Sequence, residues 1–277
     1  MTDSLPPAVA MNALRANLDR IGPVAVAVSG GVDSLTLAAV AHGLPGARAE
    51  MFHAVSPAVP PEATERTRAL AGAMDWKLSI IDAGEFSDPD YRRNPANRCY
   101  YCKSSLYDAI ARRTAATIVS GTNRDDLADF RPGLGAAAER GVRHPYVESG
   151  IGKATVRAIA AALGLDDVAE LPASPCLSSR LETGIPVDAQ SLGLVHAVER
   201  LIARRLGADT VRCRIRASGV WIELDAGAYA RAESAASSEL RAEVEALCAS
   251  RGRPGPPRFA PYRMGSAFLR VPLPEAG

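Results

Sequence analysis

The six residues SGGVDS, Ser29 to Ser34, lie between an apolar run and a helix-like one, and they constrain this chain more than any other stretch. Residues 23–28 read PVAVAV, short and continuously apolar, which predicts a strand buried on both faces. The following LTLAAVAHG predicts a helix. Strand, glycine-rich loop and helix together make a cradle for phosphate. Glycines let backbone N–H groups approach the oxygens, the helix N-terminus favours negative charge, and serine hydroxyls add donors. The loop lacks the Lys-Ser/Thr ending of the Walker type. Asp33 would repel a bare phosphate, so its position predicts a magnesium ion bridging carboxylate and phosphate. The competing reading is a plain turn whose Asp and Ser cap the helix.

The first half continues the alternation. ARAEMFHAV, WKLSIID and ATIVSGTNRDD predict strands; PEATERTRALAGAM, entered through Pro-Pro, SLYDAIARRT, and GKATVRAIAAALGL, closed by Gly164, predict helices. The fold class expected over residues 1–170 is therefore α/β, a parallel sheet with helices on both faces. Ligands bind beyond the carboxyl ends of such strands. SGGVDS and GTNRDD both fall at that end. Ser29, Gly30, Gly31, Asp33 and Ser34 are expected to hold pyrophosphate and magnesium, facing Asn123, Asp125 and Asp126. Asp126 is the metal candidate, and Asp125 is either a ligand or a solvated helix cap.

After residue 170 the pattern changes. Residues 171–186 form a loop carrying Cys176, and 187–277 predict a smaller α+β domain. Its elements are the helix AQSLGLVHAVERLIARRLG, the strands TVRCRIRA and GVWIELDA joined at Ser218-Gly219, and a helix over about 232–251. A proline-rich linker leads to RFAPYRMGSAFLRV.

Length and charge narrow the classes. The chain has 277 residues and a formal net charge of +1, which gives no reason to expect nucleic acid or an anionic membrane surface. No apolar run reaches the roughly 18 residues of a membrane span, and MTDSLPPAVA lacks a basic start and apolar core. A soluble, cytoplasmic protein is expected. Five cysteines, an odd number, argue against a disulfide framework.

Two of those cysteines, Cys99 and Cys102, share NRCYYCK, and a third, Cys176, lies in ASPCLSSR. A thioredoxin-type pair is expected at the start of a helix just after a first strand; this pair instead follows NPANR. Zinc usually takes four ligands, whereas Cys213, alternating with Arg212 and Arg214 on the face of Val211 and Ile215, and Cys248, on a helix stripe with Val244 and Leu247, read as buried packing. Three cysteines can hold a [4Fe–4S] cluster with one iron open, able to carry an extra sulfide. The alternative is a zinc or incidental thiol pair, with Cys176 alone as nucleophile. Arg98 and Lys103 flank the pair as candidates to favour thiolate or steady an anionic substrate. Arg180 is a candidate catalytic group for a substrate carboxylate or phosphate. Arg212, Arg214 and Arg216 alternate along one strand face, where guanidinium groups suit phosphate; a solvated edge face is the plainer reading. Glu223 is a weaker candidate for metal or inter-subunit contacts. The four histidines show no ligand spacing.

SGGVDS after an apolar strand resembles the loop of the ATP pyrophosphatase superfamily, whose members cleave ATP between the α and β phosphates and adenylate a substrate oxygen. With it, in order, come NPANRCYYCKSSLY, SGTNRDDLADFRPG, IGKATVRAIAAALGL, ASPCLSSR and, near the C-terminus, YRMGS. This ordered set resembles the LarE-type sulfur transferases of nickel-pincer nucleotide biosynthesis. The resemblance implies ATP and magnesium, adenylation of a carboxylate of a pyridinium dicarboxylate mononucleotide, and its conversion to a thiocarboxylate. It implies a substrate phosphate near Arg212 and Arg214, and a homo-oligomer, a hexamer built through the C-terminal domain. Members with only the later cysteine sacrifice it to dehydroalanine; the three cysteines here resemble the [4Fe–4S] cluster-dependent members, reloaded by a sulfur donor that the sequence does not identify. Thr155 stands where the family commonly carries an acidic residue, and Thr183 where it carries Tyr. Competing readings are a cluster-dependent tRNA thiolase, an ammonia-using synthetase, and a non-catalytic nucleotide-binding iron–sulfur sensor.

Overall fold

A computed structural model describes residues 6–46, 49–128, 131–234 and 238–267. In chain order the elements begin with α1 (Pro7–Ile21), β1 (Val24–Ala27), α2 (Val32–His42), β2 (Ala49–Ala54), α3 (Pro61–Ala73) and β3 (Leu78–Ile81). Next are α4 (Pro89–Arg92), α5 (Arg98–Ala111), β4 (Thr117–Ser120), α6 (Gly133–Glu139), α7 (Pro145–Glu148), α8 (Lys153–Ala162) and α9 (Asp166–Ala169). The remainder is α10 (Ala189–Leu206), β5 (Val211–Arg216), β6 (Gly219–Leu224), α11 (Ala226–Ala232), α12 (Ser238–Ser250) and β7 (Arg258–Pro261). No described helix is long and apolar enough to cross a membrane.

The chain divides into two compact units, Met1–Glu85 with Cys99–Ser174, and Phe86–Arg98 with Pro175–Gly277. In the first, a parallel sheet has the order β3-β2-β1-β4. The chain steps outward from β1 to β3, then returns to place β4 on the other side of β1. The order therefore reverses between β1 and β4, and the loops after those strands flank the switch point where such sheets bind ligands. α2 is apolar almost all round, and Leu35, Leu37, Ala38, Ala39, Val40 and Ala41 are all buried. It packs against α1, α8 and the strands β1 and β2. Burying each leucine contributes about 1.5–3 kcal/mol, so the helix that begins in the Ser29–Ser34 loop is anchored along its length.

The second unit holds a three-stranded sheet of order β5-β6-β7, antiparallel then parallel. α10 packs on β5. Asp188 accepts from the Ser191 N–H to cap its start, and Gly207 ends it in the left-handed conformation. The β5–β6 turn closes where Arg216 faces Gly219, whose φ of +112° suits glycine.

Two helix expectations differ from the structure. α5 opens at Arg98, seven residues before SLYDAIARRT, because Pro95 sets the first turn and its carbonyl accepts from the Arg98 N–H at 2.9 Å. The helix expected over about 232–251 is α12, first described from Ser238, and α11 before it is a further helix; residues 235–237 lie outside the described residues. Asp225 caps the start of α11, accepting from the Ala228 N–H at 2.9 Å. That Asp-x-x pattern after a strand is a start signal the sequence already carried.

Candidate active site

The Ser29–Ser34 loop is closed on itself by Ser34. The Ser29 N–H donates to Ser34 Oγ at 2.9 Å, and that hydroxyl donates to the Gly31 carbonyl at 3.1 Å. Gly30 adopts φ +81°, and a Cβ there would meet the Ala63 carbonyl oxygen at 2.6 Å, so only glycine lets α3 approach so closely. Gly31 is the N-cap of α2, with no side-chain cap. Asp33 and Ser34 therefore do not act as the helix cap of the plain-turn reading. The first N–H groups of α2 have no carbonyl partners within the helix, which leaves donors and a positive dipole end at the loop.

Asp33 is the hub of this corner. Its Oδ1 accepts from Asn123 Nδ2 at 3.1 Å, and its Oδ2 pairs with Lys153 Nζ at 2.5 Å. The Tyr146 hydroxyl donates to the Asp33 carbonyl at 3.0 Å. Burial first, then the nearby Asp33 charge, holds the Tyr146 phenol well above its ordinary pKa. Asn123 Oδ1 in turn accepts from the Asp125 N–H, and its own N–H donates to Asp126 Oδ2, both at 3.0 Å. Asp126 Oδ1 pairs with Arg131 at 2.6 Å. Asp125 reaches α8, accepting from the Lys153 N–H at 2.7 Å.

The structure thus brings Ser29, Gly30, Gly31, Asp33, Ser34 and Asn123 together, with Asp126 joined through Asn123. For magnesium, Asp33 and Asp126 supply hard carboxylate oxygens of the kind the ion prefers, and glycine 121 keeps the two loops in contact. A Cβ on Gly121 would lie 2.9 Å from both the Asp33 carbonyl carbon and the Ser34 nitrogen. Lys153 and Tyr146 were not singled out from sequence. Lys153 did carry a signal: a cation at the first position of a helix opposes the dipole, so a partner was to be expected.

Cys99 and Cys102 are one turn apart at the start of α5. This removes one argument made against a redox pair, since the CxxC does open a helix, although not one following a first strand. Cys99 is exposed and Cys102 half-buried, while Cys213 and Cys248 are fully buried. Burial pushes both of the latter thiols up, Cys213 farthest. Among the described residues of each unit, no three His, Cys, Asp or Glu side chains stand together as a ready-made metal cage.

Within the second unit, Cys176 is exposed at the head of a short 3-10 turn over Leu177–Arg180. The segment 86–98 clasps this loop. Tyr91 and Ser178 hydroxyls lie 2.8 Å apart, and Arg98 donates to the Ser178 carbonyl at 3.0 Å. Asn94, in the left-handed conformation that Asn tolerates, donates to the carbonyls of Glu182 and Ile185, each at 2.8 Å.

Arg180 is 3% exposed. Its Nε and Nη2 pair bidentately with Glu199 at 2.9 and 3.0 Å, and its Nη1 donates to the Pro175 carbonyl at 2.7 Å and the Cys176 carbonyl at 3.3 Å. A guanidinium engaged this way fixes the loop of Cys176. Glu199, which also accepts from the Cys213 N–H at 2.9 Å, was missed because nothing in its helix repeat marks it.

The arginine face of β5 is not a solvated one. Arg214 is buried, pairs with Glu223 at 3.1 Å and donates to the Ser179 carbonyl at 3.1 Å. Glu223 also accepts from Arg216 at 2.6 Å and from the Ser266 hydroxyl. Arg212 lies over the Tyr262 ring, 5.7 Å from its centroid. Burial, then the like charge of Arg180, lowers the Arg212 pKa. Arg180, Arg212, Arg214 and Arg216 thus lie in one region with the carboxylates of Glu199 and Glu223.

No family model matches the chain. It is 41% identical over 203 residues to the uncharacterised protein slr1717 of Synechocystis, covering 72% of this chain and 75% of that one. It is 31% identical over 223 residues to the pyridinium-3,5-bisthiocarboxylic acid mononucleotide synthase of Lactiplantibacillus plantarum, covering 76% of this chain and 78% of the relative. The chain belongs to this synthase family. A further member of the set is the uncharacterised protein MJ0830 of Methanocaldococcus jannaschii, 25% identical, with 68% of this chain and 73% of that one covered. Membership in the synthase family agrees with the parallel sheet and with a glycine-rich loop at its switch point.

Proposed function

We propose that this chain is an ATP-dependent sulfur transferase that acts on a carboxylate of pyridinium-3,5-dicarboxylate mononucleotide in nickel-pincer cofactor biosynthesis. The observation that carries the reading is a synthase-family chain whose Ser29–Ser34 loop opens α2 beside Asn123 at the sheet's switch point. A substrate carboxylate oxygen attacks the α phosphorus of ATP, the α–β phosphate bond breaks, and pyrophosphate leaves. A sulfur nucleophile then attacks the acyl carbon and AMP departs with the bonding electrons, leaving a thiocarboxylate.

In this reading the N–H groups of the loop and the Ser29 and Ser34 hydroxyls bind the departing pyrophosphate. Asp33 and Asp126 hold magnesium, which when bound neutralises charge on the phosphates. The crowded guanidinium groups around Arg212 favour an anion, which suits the substrate phosphate. Arg180 holds the Cys176 loop in place while Cys176 stays accessible.

Cys99, Cys102 and Cys176 are the ligands for a [4Fe–4S] cluster in this reading; when bound, its open iron supplies exchangeable sulfide. Their accessibility, against the burial of Cys213 and Cys248, supports that donor set. The same reading has a cytoplasmic homo-oligomer, a hexamer, reloaded by a separate sulfur donor.

The test is anaerobic purification and reconstitution, then incubation with ATP, magnesium and the dicarboxylate mononucleotide. Pyrophosphate release that depends on this substrate, with sulfur replacing one of its oxygens in the product mass, is expected. About four iron and four acid-labile sulfide per chain, lost in Cys102→Ala, are expected alongside. Pyrophosphate release driven by tRNA and not by the mononucleotide would overturn the substrate. Negligible iron, with Cys176 losing the mass of hydrogen sulfide after one turnover, would overturn the cluster and make the cysteine a single-use donor.

A further inference from the structure

One face of the β5–β6–β7 sheet carries an excess of positive charge. The strand register sets Arg214 opposite Trp221 and Trp221 opposite Arg258, so these side chains form one row on a common face. Arg212, Arg216 and Glu223 stand on the same face, which sets four arginines against one glutamate. Glu223 is already engaged by Arg214, Arg216 and Ser266. The guanidinium carbon of Arg216 lies 4.9 Å from the centroid of the Trp221 ring and that of Arg258 lies 5.2 Å from it, approaching from the strands on either side. Trp221 is fixed in turn, its Nε1 donating to Ser218 Oγ at 3.0 Å. Arg258 is exposed and pairs with no carboxylate among the described residues. Arg216 has a buried Nε that bonds to none of them. Contact with an accessible ring holds a cation only weakly, and two cations at one ring repel each other. The Cys176 loop borders this face, because the Ser179 carbonyl accepts from Arg214 at 3.1 Å and Leu181 bridges to Ile215 of β5.

We propose that Arg216 and Arg258, held at Trp221, form an anion site for the ring carboxylate of the substrate that is not being converted, while the Arg212 end takes the phosphate. The proposal rests on reading the substrate as a pyridinium dicarboxylate mononucleotide, and the experiment separates the two. A guanidinium stacked on an aromatic ring keeps its N–H edge turned outward, where it can grip a carboxylate through two parallel bonds. Arg212 and Arg216 are four residues apart along β5, a separation of about 13 Å. The face therefore suits a ligand with an anion at each end. Its size favours a small ligand over an acidic protein. Strands of at most six residues, three abreast, cover roughly 15 Å by 20 Å, well below the roughly 800 Å² that each partner of a stable protein complex buries. Arg214 stands between the two ends and is bonded to the loop of Cys176. Holding both ends thus sets the remaining carboxylate beside that loop.

Binding of nicotinic acid mononucleotide and of nicotinamide mononucleotide is measured by calorimetry in wild type, Arg258→Met and Arg258→Lys. The two probes share ring, ribose and phosphate and differ in one ring carboxylate. Wild type is expected to bind the acid about tenfold more tightly than the amide, the effect of one charge-assisted pair. Arg258→Met is expected to bring the acid down to the level of the amide and to leave the amide unchanged. Arg258→Lys is expected to recover part of the preference, since it keeps the charge and loses the fork. Trp221 gives a second reading that does not depend on the arginine variants, because the other tryptophan, Trp76, is buried in the first unit. A change in tryptophan emission on adding the acid is expected in wild type and is expected to be lost in Trp221→Phe. If wild type binds neither mononucleotide, the substrate reading itself fails. If wild type binds both equally, if Arg258→Met keeps its preference for the acid, or if the emission of Trp221 does not respond, the carboxylate site is wrong and the substrate reading stands. An equal loss of both probes in Arg258→Met would assign Arg258 to the phosphate and also overturn the carboxylate site.

Discussion

Gly121 packs directly against the backbone of Asp33. A Cβ on Gly121 would lie 2.9 Å from the Asp33 carbonyl carbon and 3.1 Å from its Cβ. The contact joins the loop after β4 to the first turn of α2, which is how Asn123 comes to donate to Asp33. Because the clash is with backbone, no side-chain rotation relieves it. Gly121→Ala is therefore expected to separate the two loops, costing about 1–3 kcal/mol as overpacking does. Urea unfolding measures that loss. Weakened ATP binding should accompany it, and an unchanged unfolding midpoint with unchanged binding would show that the loops are not held by this contact.

Arg180 and Glu199 form a pair with little water access, their side chains 3% and 14% exposed. Removing one partner from such a pair leaves a buried charge uncompensated, at a cost of about 3–5 kcal/mol. Glu199→Leu is expected to lose that much in urea unfolding. The double variant Arg180→Met/Glu199→Leu is expected to be more stable than Glu199→Leu alone, since it removes the stranded cation. A double variant that merely sums the two single losses would mean the pair is not the unit holding the Cys176 loop.

These two regions show what a sequence makes legible and what it does not. The parallel sheet, the loop at its switch point and the partnership of Asp33 with Asn123 follow from local signals, because glycine placement and strand–helix alternation are short-range properties. The buried state of Arg214 and Arg180 does not follow. Alternation places Arg212, Arg214 and Arg216 on one face of β5, but whether that face meets solvent depends on Glu223 across the hairpin and Ser179 far along the chain. The early start of α5 was hidden for a related reason. Cys, Tyr and Tyr are indifferent helix formers, and burial of Tyr107, Ala109 and Ile110 farther along α5 outweighs that indifference. Lys153 lay in plain view in IGKATVR, with only its unfavourable helix position to mark it.

The five cysteines are expected to separate by reactivity. Cys99 and Cys176 are exposed, Cys102 is half-buried, and Cys213 and Cys248 are buried with thiols pushed up by that burial. Thiolate is the reacting form. In the reduced protein without a cluster, alkylation is expected to modify Cys99 and Cys176 first, Cys102 next, and the buried pair only after denaturant is added. Peptide mass spectrometry over time checks the order. Early modification of Cys213 would contradict its burial on β5 against α10.

His53 makes stability depend on pH in a defined direction. It is completely buried, with Nδ1 2.9 Å from the Val28 carbonyl and Nε2 2.9 Å from Thr64 Oγ1. A carbonyl only accepts, so Nδ1 carries the proton and Nε2 accepts from the threonine. Burial lowers the His53 pKa, only partly offset by the Val28 bond, and the charge of Arg68 lowers it further from the ordinary 6.5. His144 is shifted the same way, again chiefly by burial. For a base depressed in the folded state, the unfolded chain takes up its proton first as pH falls. The stabilisation is thus fully present above the unfolded value of about 6.5 and is lost as pH drops below it toward the lower folded value. The urea midpoint is expected to fall between about pH 7.5 and pH 5.5. His53→Gln, although less stable at neutral pH, should show a shallower fall over the same range. An equally steep fall in the variant would assign the pH dependence to other groups, His144 first among them.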